Sequence, residues 1–329
     1  MRFVIHGAGA VGGAIGLRLA ARGADVVLIA RGATAAAVRD RGLVLITPGG
    51  TATARPPLVE HPRELAWTGD EVVILAVKSQ DTAAALDALA ACAPPSIEVV
   101  CAQNGIANER AALRRFARVA AMYVWMPADQ AAPGVVRSYT APRDGVLDVG
   151  RYPRGVDARI AAIAAAFEGT PFESVARPDI MAWKHHKLLQ NLGNAIEAAC
   201  GGDDDDAARE LERRARDEGA AALAAAGLAA ISAEEAAARR GDRFPIEPIA
   251  GAGRPGGSSW QSLARGAGSI EADYLNGEIV LLGRLHGVPT PANELLQRTA
   301  NELARDRRPP GSVAAAELLR QLSACHPSG

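Results

Sequence analysis

Two constellations in this sequence carry residue types at spacings that chemistry could use. The run His6-Gly7-Ala8-Gly9-Ala10-Val11-Gly12 contains Gly-x-Gly-x-x-Gly, directly after an apolar segment and before an amphipathic one. In a strand–turn–helix setting the first glycine permits a tight turn and the second lets a pyrophosphate approach the backbone. The third lets helix and strand pack closely, and the helix N-terminus offers its free N–H groups to phosphate. The second constellation is Lys184, Lys187, Asn191 and Asn194, spaced by three, four and three. That spacing puts all four on one helical face. A stripe of ammonium and amide groups does not suit an apolar core, because buried polar groups need partners. It suits a wet cleft that binds an oxygen-rich small molecule, or else a solvated outer face. Only three lysines occur in this Arg-rich chain, Lys78, Lys184 and Lys187, so each draws attention as a compact cation whose pKa responds to its surroundings.

Further candidates lie where predicted strands end. After the second strand the chain reads Leu28-Ile29-Ala30-Arg31-Gly32. No acid stands there for a ribose 2′-hydroxyl, and Arg31 is placed to meet a 2′-phosphate, so NADP is expected rather than NAD. Lys78 and Gln103-Asn104-Gly105 follow two later strands, at the carboxyl ends that face the ligand crevice of a parallel sheet. Lys78 would reach phosphate or ribose, and the amides would bind a carboxamide or substrate. The cofactor set is therefore Gly7, Ala8, Gly9, Ala10, Val11, Gly12, Arg31, Lys78 and Asn104. Taken alone, Glu271 at a helix start is ordinary dipole complementarity. The acid run Asp203–Asp206 reads as a helix N-terminal cap rather than a metal site, and no metal is expected. His185 and His186 lie off the polar stripe and read as surface or packing residues.

The elements that must position these residues follow from periodicity. Met1–His6, Ala24–Ala30, Val72–Val77 and Glu98–Ala102 read as strands, with helices over Gly12–Arg22 and Thr82–Ala91, a strand–helix alternation that predicts a parallel sheet. Tyr123–Met126, Gly134–Tyr139 and Val146–Val149 read as antiparallel strands extending that sheet, followed by a helix over Asp157–Glu168 and a strand at Phe172–Val175. Beyond Arg177 the pattern turns helical: Pro178–Cys200, Asp206–Ala226, Ser232–Arg240, Ile270–His286, Pro291–Arg305 and Val313–Leu322, with a Gly/Pro-rich loop at Gly241–Gly257. The expected fold is an α/β Rossmann-type domain over residues 1–176, then an all-α domain over 177–329 for substrate binding, whose alanine-rich helices could form a homodimer interface.

With 36 basic and 37 acidic residues, the chain carries a formal charge of −1 and no electrostatic footprint for nucleic acid or an anionic membrane. No signal peptide and no membrane span is visible, and Cys92, Cys101, Cys200 and Cys325 show no metal or disulfide pattern. A cytoplasmic location with reduced thiols is expected.

As a set, the Gly7–Gly12 loop, Lys78, Gln103-Asn104-Gly105, Lys187-Leu188-Leu189-Gln190-Asn191, Ser259 and Glu271-Ala272-Asp273-Tyr274-Leu275-Asn276-Gly277 resemble the ketopantoate reductase (2-dehydropantoate 2-reductase) family in order and spacing across most of the chain. The resemblance implies NADPH and substrate held between a Rossmann and a helical domain, with a 2-oxo acid, in the first place 2-dehydropantoate, reduced to a 2-hydroxy acid. It assigns the catalytic lysine to Lys187, because that residue stands four before Asn191, and it assigns substrate contacts to Asn104, Asn191, Ser259 and Glu271. The family's next asparagine falls eight residues after the lysine, where this chain has Ala195, with Asn194 one residue earlier as the candidate. A second departure is Ser259-Trp260-Gln261-Ser262-Leu263, where members commonly have Ser-Met and then Gln-Asp two residues on. It leaves the reaction class intact and opens the choice of ketone. Two further readings are an NADP-binding sensor without turnover and an interaction protein that meets a partner through the polar stripe.

Overall fold

A computed structural model describes residues 1–202, 205–251 and 256–325. Among the described residues, twelve strands run in chain order as β1 Arg2–His6, β2 Asp25–Ile29, β3 Leu43–Thr47, β4 Gly50–Ala54, β5 Leu58–Val59, β6 Val72–Leu75, β7 Glu98–Cys101, β8 Arg118–Trp125, β9 Ala128–Ala132, β10 Val135–Ser138, β11 Gly145–Arg151 and β12 Phe172–Glu173. Interleaved with them are helices α1 Ala10–Ala21, α2 Gly32–Arg41, α3 Thr82–Ala90, α4 Asn108–Leu113 and α5 Ala158–Ala165. The later helices are α6 Ile180–Asn191, α7 Asn194–Cys200, α8 Asp206–Ala225, α9 Ala233–Arg240, α10 Ser258–Ala264, α11 Asn276–His286, α12 Pro291–Arg305 and α13 Ala315–Cys325. None of the described helices is long and apolar enough to cross a membrane.

The main sheet has the order β12-β11-β8-β7-β6-β1-β2-β5. From β5 to β8 every pairing is parallel; β11 runs antiparallel to β8, and β12 pairs in parallel with β11. Strands covered on both faces need apolar side chains at every position, and the sequence supplies them as unbroken runs such as Val72–Leu75. Phe3, Ile5, Val72 and Ile74 belong to one core, whereas Val4, Val73 and Leu75 join α3 residues Leu86 and Leu89 in a second.

Of the three antiparallel strands expected to extend this sheet, two do so: Tyr123–Trp125 of β8 pair antiparallel with Val146–Asp148 of β11, while the earlier residues Arg118–Ala121 of β8 pair in parallel with β7. The segment around Gly134–Tyr139 does not extend it. As β10, it joins a separate sheet of order β4-β3-β10-β9. The physical reason is α1, which is apolar on nearly all sides and is buried from Gly12 to Leu17. Such a helix must be covered all round. β1 and β2 cover one side, and β3 and β10 another: a Cβ on Gly13 would stand 2.8 Å from Val136.

The chain forms two compact units, and their division departs from the expected break at 176–177. The first gathers Met1–Gln103, Ala107–Trp183 and the described part of Ser232–Gly253; the second gathers Asn104–Ile106, Lys184–Ile231 and the remaining C-terminal helices. Thus α6 starts in the first unit and ends in the second. Its start is fixed by stacking: the Arg177 guanidinium lies 3.8 Å from the centre of the Trp183 ring, which in turn meets Tyr123 edge-on at 5.4 Å. α9 returns to the first unit because of charge. Arg239 forks onto both carboxylate oxygens of Asp148 at 2.8 and 2.7 Å and reaches Glu173 at 2.7 Å. Asp148 lies on β11 with its side chain fully buried, and Arg177 also reaches it, at 2.5 Å. A buried carboxylate needs such partners. Periodicity along α9 carries no trace of this long-range pairing.

Two further helices differ from expectation. The predicted helix Pro178–Cys200 is broken after Asn191, and Ile270–His286 opens as a 3₁₀ turn, Glu271–Tyr274, before α11 begins at Asn276. In the acid run, Asp203 and Asp204 lie outside the described residues. Asp205 caps α8 by accepting the Ala208 N–H at 2.6 Å, as the cap reading expects. Replacing Arg239 by alanine is expected to destabilise the first unit by about 3 kcal/mol, the lower end for breaking a buried pair, because Arg177 still serves Asp148. A denaturant titration of Arg239→Ala against the wild type measures it, and an unchanged midpoint would contradict this role.

Candidate functional site

A candidate nucleotide site lies at the carboxyl ends of β1, β2 and β6. The chain runs from β1 outward through β2 to β5 and then returns to β6 on the other side of β1, a topological switch point that leaves a crevice. A cleft of about 160 Å³ opens there, lined by His6, Gly7, Gly9, Arg31, Thr34 and Gln130 among others. The glycines act as their spacing predicts. A Cβ on Gly12 would lie 2.0 Å from the Gly7 carbonyl oxygen, so no other residue lets α1 start this close to β1. A Cβ on Gly9 would meet no protein atom within 4 Å, so the missing side chain leaves open space beside the helix start. The first turn of α1 has no acid and no side-chain cap. Its N–H groups thus suit a phosphate, and the residues present fit a dinucleotide.

The expected cofactor residues separate in this setting. Gly7, Ala8, Gly9 and Arg31 line the cleft, Arg31 as the exposed residue that starts α2. Ala10, Val11 and Gly12 form the first turn of α1. Lys78 follows β6 and starts a 3₁₀ turn, half-buried, while its neighbour Val77 is the residue that lines the cleft. Gln103, read from sequence as a potential ligand, is a structural tie: its amide donates to the Val77 carbonyl at 2.8 Å and to the Thr82 hydroxyl at 2.7 Å.

Three lining or flanking residues were not foreseen. The Gln130 amide on β9 donates to the Thr34 hydroxyl on α2 at 3.3 Å, closing the cleft wall from the small second sheet. Glu60 lies along α2, where the Arg39 guanidinium of its last turn and the Gly32 N–H of its first hold the carboxyl below the usual range. No local motif marks either contact, since both pair residues from different elements.

A second set of candidate residues, Asn104, Lys187, Asn191, Asn194, Ser259 and Glu271, belongs to the second unit. Lys187 is half-buried on α6, whereas Lys184, Asn191, Ser259 and Glu271 are buried. The four-residue stripe does not continue along one helix, because α6 ends at Asn191 and α7 begins at Asn194. His185 and His186 are packing residues: their Nδ1 atoms lie 2.6 Å from the Ala229 and 3.2 Å from the Ile231 carbonyl oxygens. Asn194 points to the start of α10, where its amide donates to the Ser258 hydroxyl at 3.5 Å. One helical turn on, Glu197 accepts the Gly257 N–H at 2.8 Å. These two bonds seat the helix that carries Ser259, and Glu197 is a further residue that sequence reasoning passed over. Beside it the Trp260 ring packs over Gly256, where a Cβ would stand 2.4 Å from the ring. Asn104 is half-buried, and the next residue holds a left-handed turn: Gly105 has φ +77, and a Cβ there would lie 2.7 Å from the Tyr274 carbonyl oxygen. The Asn104 turn is thereby pressed against the 3₁₀ turn that starts with Glu271.

A parallel sheet with a glycine-built turn opening a helix at its switch point, followed by a helical unit, is the architecture of a nucleotide-dependent oxidoreductase. The sequence profile described as "Ketopantoate reductase PanE/ApbA" matches residues 3–154, and that of its C-terminal domain matches 179–304. The 2-dehydropantoate 2-reductase of Caulobacter vibrioides is 31% identical over 309 residues, covering 91% of this chain and 98% of that one. The enzyme of the same name from Halobacterium salinarum is 34% identical over 200 residues, a match that spans 63% of that protein. Among solved structures, the PanE/ApbA family ketopantoate reductase of Ralstonia eutropha superposes with a TM-score of 0.76 at 30% identity, over 94% of this chain and 100% of that one. The chain belongs to the ketopantoate reductase family and is an oxidoreductase with the Rossmann-type and helical domains of that family. The two profiles flank the expected boundary near 176, although the compact units divide the chain differently.

His6 reports on the cofactor half. Burial first, and then the charges of Arg31 and His61, hold its imidazole down to about 4 from 6.5. Between these values the unfolded chain binds the extra proton, so this contribution to stability is complete above pH 6.5 and is lost as the pH falls through about 4. The loss amounts to about 3 kcal/mol for a shift of this size. Urea midpoints followed from pH 7 to 4 should fall more steeply in the wild type than in His6→Gln; parallel curves would remove His6 from the cause.

Proposed function

We propose that the chain reduces a 2-oxo acid to the 2-hydroxy acid with NADPH, and that 2-dehydropantoate, reduced to pantoate, is its substrate. The observation that carries this reading is the gathering of Lys187, Asn191, Asn104, Ser259 and Glu271 in one compact unit, in a chain whose other unit holds a dinucleotide cleft. The full-length match to a 2-dehydropantoate 2-reductase supports it.

When bound, NADPH supplies the hydride. Its pyrophosphate is held by the turn Gly7–Gly12 and the start of α1, and its 2′-phosphate by Arg31, whose guanidinium fork matches phosphate oxygens. Lys78 adds positive charge on the same side of the sheet. On the substrate side, the Lys187 ammonium donates a hydrogen bond to the ketone oxygen and gives up a proton at Nζ as that oxygen becomes an alkoxide. Asn104, Asn191 and Ser259 hold the carboxylate and ketone by hydrogen bonds, with Asn194 seating the Ser259 helix. Glu271, buried and acceptor-only when ionised, takes a hydrogen bond from the substrate hydroxyl. A site built around a hydroxyl rejects the analogue lacking it, because its buried acceptor is left unpaired. The Trp260 ring beside Ser259 is the feature that favours a second reading, a 2-oxo acid of different side chain handled by the same groups.

The test is NADPH oxidation followed at 25 °C over a panel of 2-oxo acids with and without a hydroxyl, with NADH in parallel. Highest kcat/KM on 2-dehydropantoate with NADPH is the expected outcome; turnover of another ketone would select the second reading, and no turnover of any would leave a nucleotide-binding sensor. Lys187→Ala should lower kcat by roughly 10²–10⁴, the usual effect of a positioned acid, while the NADPH Kd stays unchanged. Glu271→Gln should lower kcat/KM for the hydroxylated acid by about tenfold or more, and for the unhydroxylated one far less. Equal losses on both substrates would assign Glu271 a general part in shaping the site.

A further inference from the structure

Unit two contains a buried polar network that no step above uses. The carbonyl of Leu192, in the two-residue joint between α6 and α7, accepts a hydrogen bond from the side-chain amide of Asn276 at 3.2 Å. The second N–H of that amide goes to Asn293 Oδ1 at 3.0 Å. Asn293 uses both of its own amide hydrogens, on the Ala215 carbonyl at 2.9 Å and on Glu218 Oε2 at 2.8 Å. The Glu218 oxygens accept the Ala292 and Asn293 backbone N–H groups at 2.8 and 3.0 Å, closing the start of α12. Asn276 is 1% and Asn293 0% exposed. Burial pushes the Glu218 carboxyl above its ordinary range. A buried junction of this kind gains little stability over apolar side chains of the same volume, because each polar group must first be stripped of water. What it does supply is register: every donor hydrogen of the two amides has one acceptor, so the joint admits one arrangement.

The place of that register is informative. Asn276 is the first residue of α11, five positions after Glu271, and Leu275 between the 3₁₀ turn and the helix has an irregular backbone at φ −114 and ψ −89. In six residues this stretch carries Glu271, presses the Tyr274 carbonyl against the turn after Asn104, and bonds the carbonyl that follows Asn191. We propose that Asn276 is a positioning residue for reduction: by tying the α6–α7 joint to the start of α11, it sets where Lys187 and Asn191 stand relative to Glu271 and Asn104. The inference rests on the reading of those four residues as the substrate site. Groups of a reacting constellation must be held within about half an ångström of the productive geometry by such supporting bonds. A shift of the joint would misplace the ammonium and amide against the carboxylate, whereas the dinucleotide cleft belongs to the other unit.

The test compares Asn276→Ala, Asn276→Ser and Lys187→Ala with Leu318→Ala, a core truncation on α13 at a side chain that is 1% exposed. Each is assayed for kcat and for the KM of the 2-oxo acid, for the NADPH Kd by fluorescence titration, and for Tm. Asn276→Ala should lower kcat/KM by about tenfold or more, with kcat reduced and the NADPH Kd within about twofold of wild type. Asn276→Ser, which keeps one donor for the Leu192 carbonyl, should fall between the two. Leu318→Ala should lose at least as much Tm and keep kcat and KM within about twofold. If Asn276→Ala does not fold, the serine variant decides by the same criteria. Folded Asn276 variants with wild-type kcat and KM, beside an impaired Lys187→Ala, would overturn the inference and leave the catalytic reading standing. Equal impairment of Leu318→Ala would reduce the effect to lost stability and would also overturn it. A fully active Lys187→Ala would overturn the catalytic reading, and this inference with it.

Discussion

A helix that must start almost in contact with a strand sets the terms for the whole first unit. With only 2.0 Å between the Gly7 carbonyl oxygen and the position a Gly12 Cβ would take, β1 and α1 can meet only through hydrogen atoms. From that contact follow the burial of α1, the need to cover it from a second side, and the small sheet that covers it. The same contact aims the first-turn N–H groups of α1 at the switch point. The phosphate site and the core are thus two consequences of one steric fact. A residue change at Gly12 would reach both.

Unit two is shaped by a different constraint, the need of buried N–H groups at its helix joints for acceptors. Breaking α6 from α7 turns Asn194 toward α10 and lets Glu197 accept the Gly257 N–H. Breaking the predicted Ile270–His286 helix into a 3₁₀ turn and α11 sets Glu271 and Asn276 to different tasks. Both interruptions fall next to residues with proposed roles in chemistry. A continuous helix presents side chains only at its own period, and a joint lets neighbouring residues point to separate partners. The residues proposed for chemistry concentrate where the regular elements stop.

Arginine carries the charge that ties α9 and the start of α6 to the main sheet. Arg177, Arg239 and Arg243 meet Asp148 and Glu173 with forked or stacked guanidinium groups that stay charged when buried. Those contacts hold α9 on the main sheet and anchor the first turn of α6. The lysines of α6 follow directly after that anchor, at Lys184 and Lys187.

Much of this was legible in the residues themselves. The unbroken apolar runs of the parallel strands, the Gly7–Gly12 turn, the polar residues of α6 and the cap at Asp205 are local patterns, each fixed by the geometry of one strand, turn or helix. The order Lys187–Asn191, Ser259, Glu271 was legible as a family resemblance, and the family profiles bear that membership out. What periodicity could not reveal was every feature that joins distant segments. The second sheet pairs β10 with β3, some ninety residues earlier in the chain. α9 is held to the first unit by Asp148, and the α6–α7 joint is fixed by Asn276, 84 positions away. Gln103 had the local signature of a ligand and became a tie from the end of β7 to the turn after β6 and the start of α3 once Val77 and Thr82 lay beside it. Sequence by itself determined the elements, because their causes lie within a few residues. Which polar group serves chemistry and which holds the frame was decided by tertiary structure, because a hydrogen bond depends on what stands three ångströms away in space.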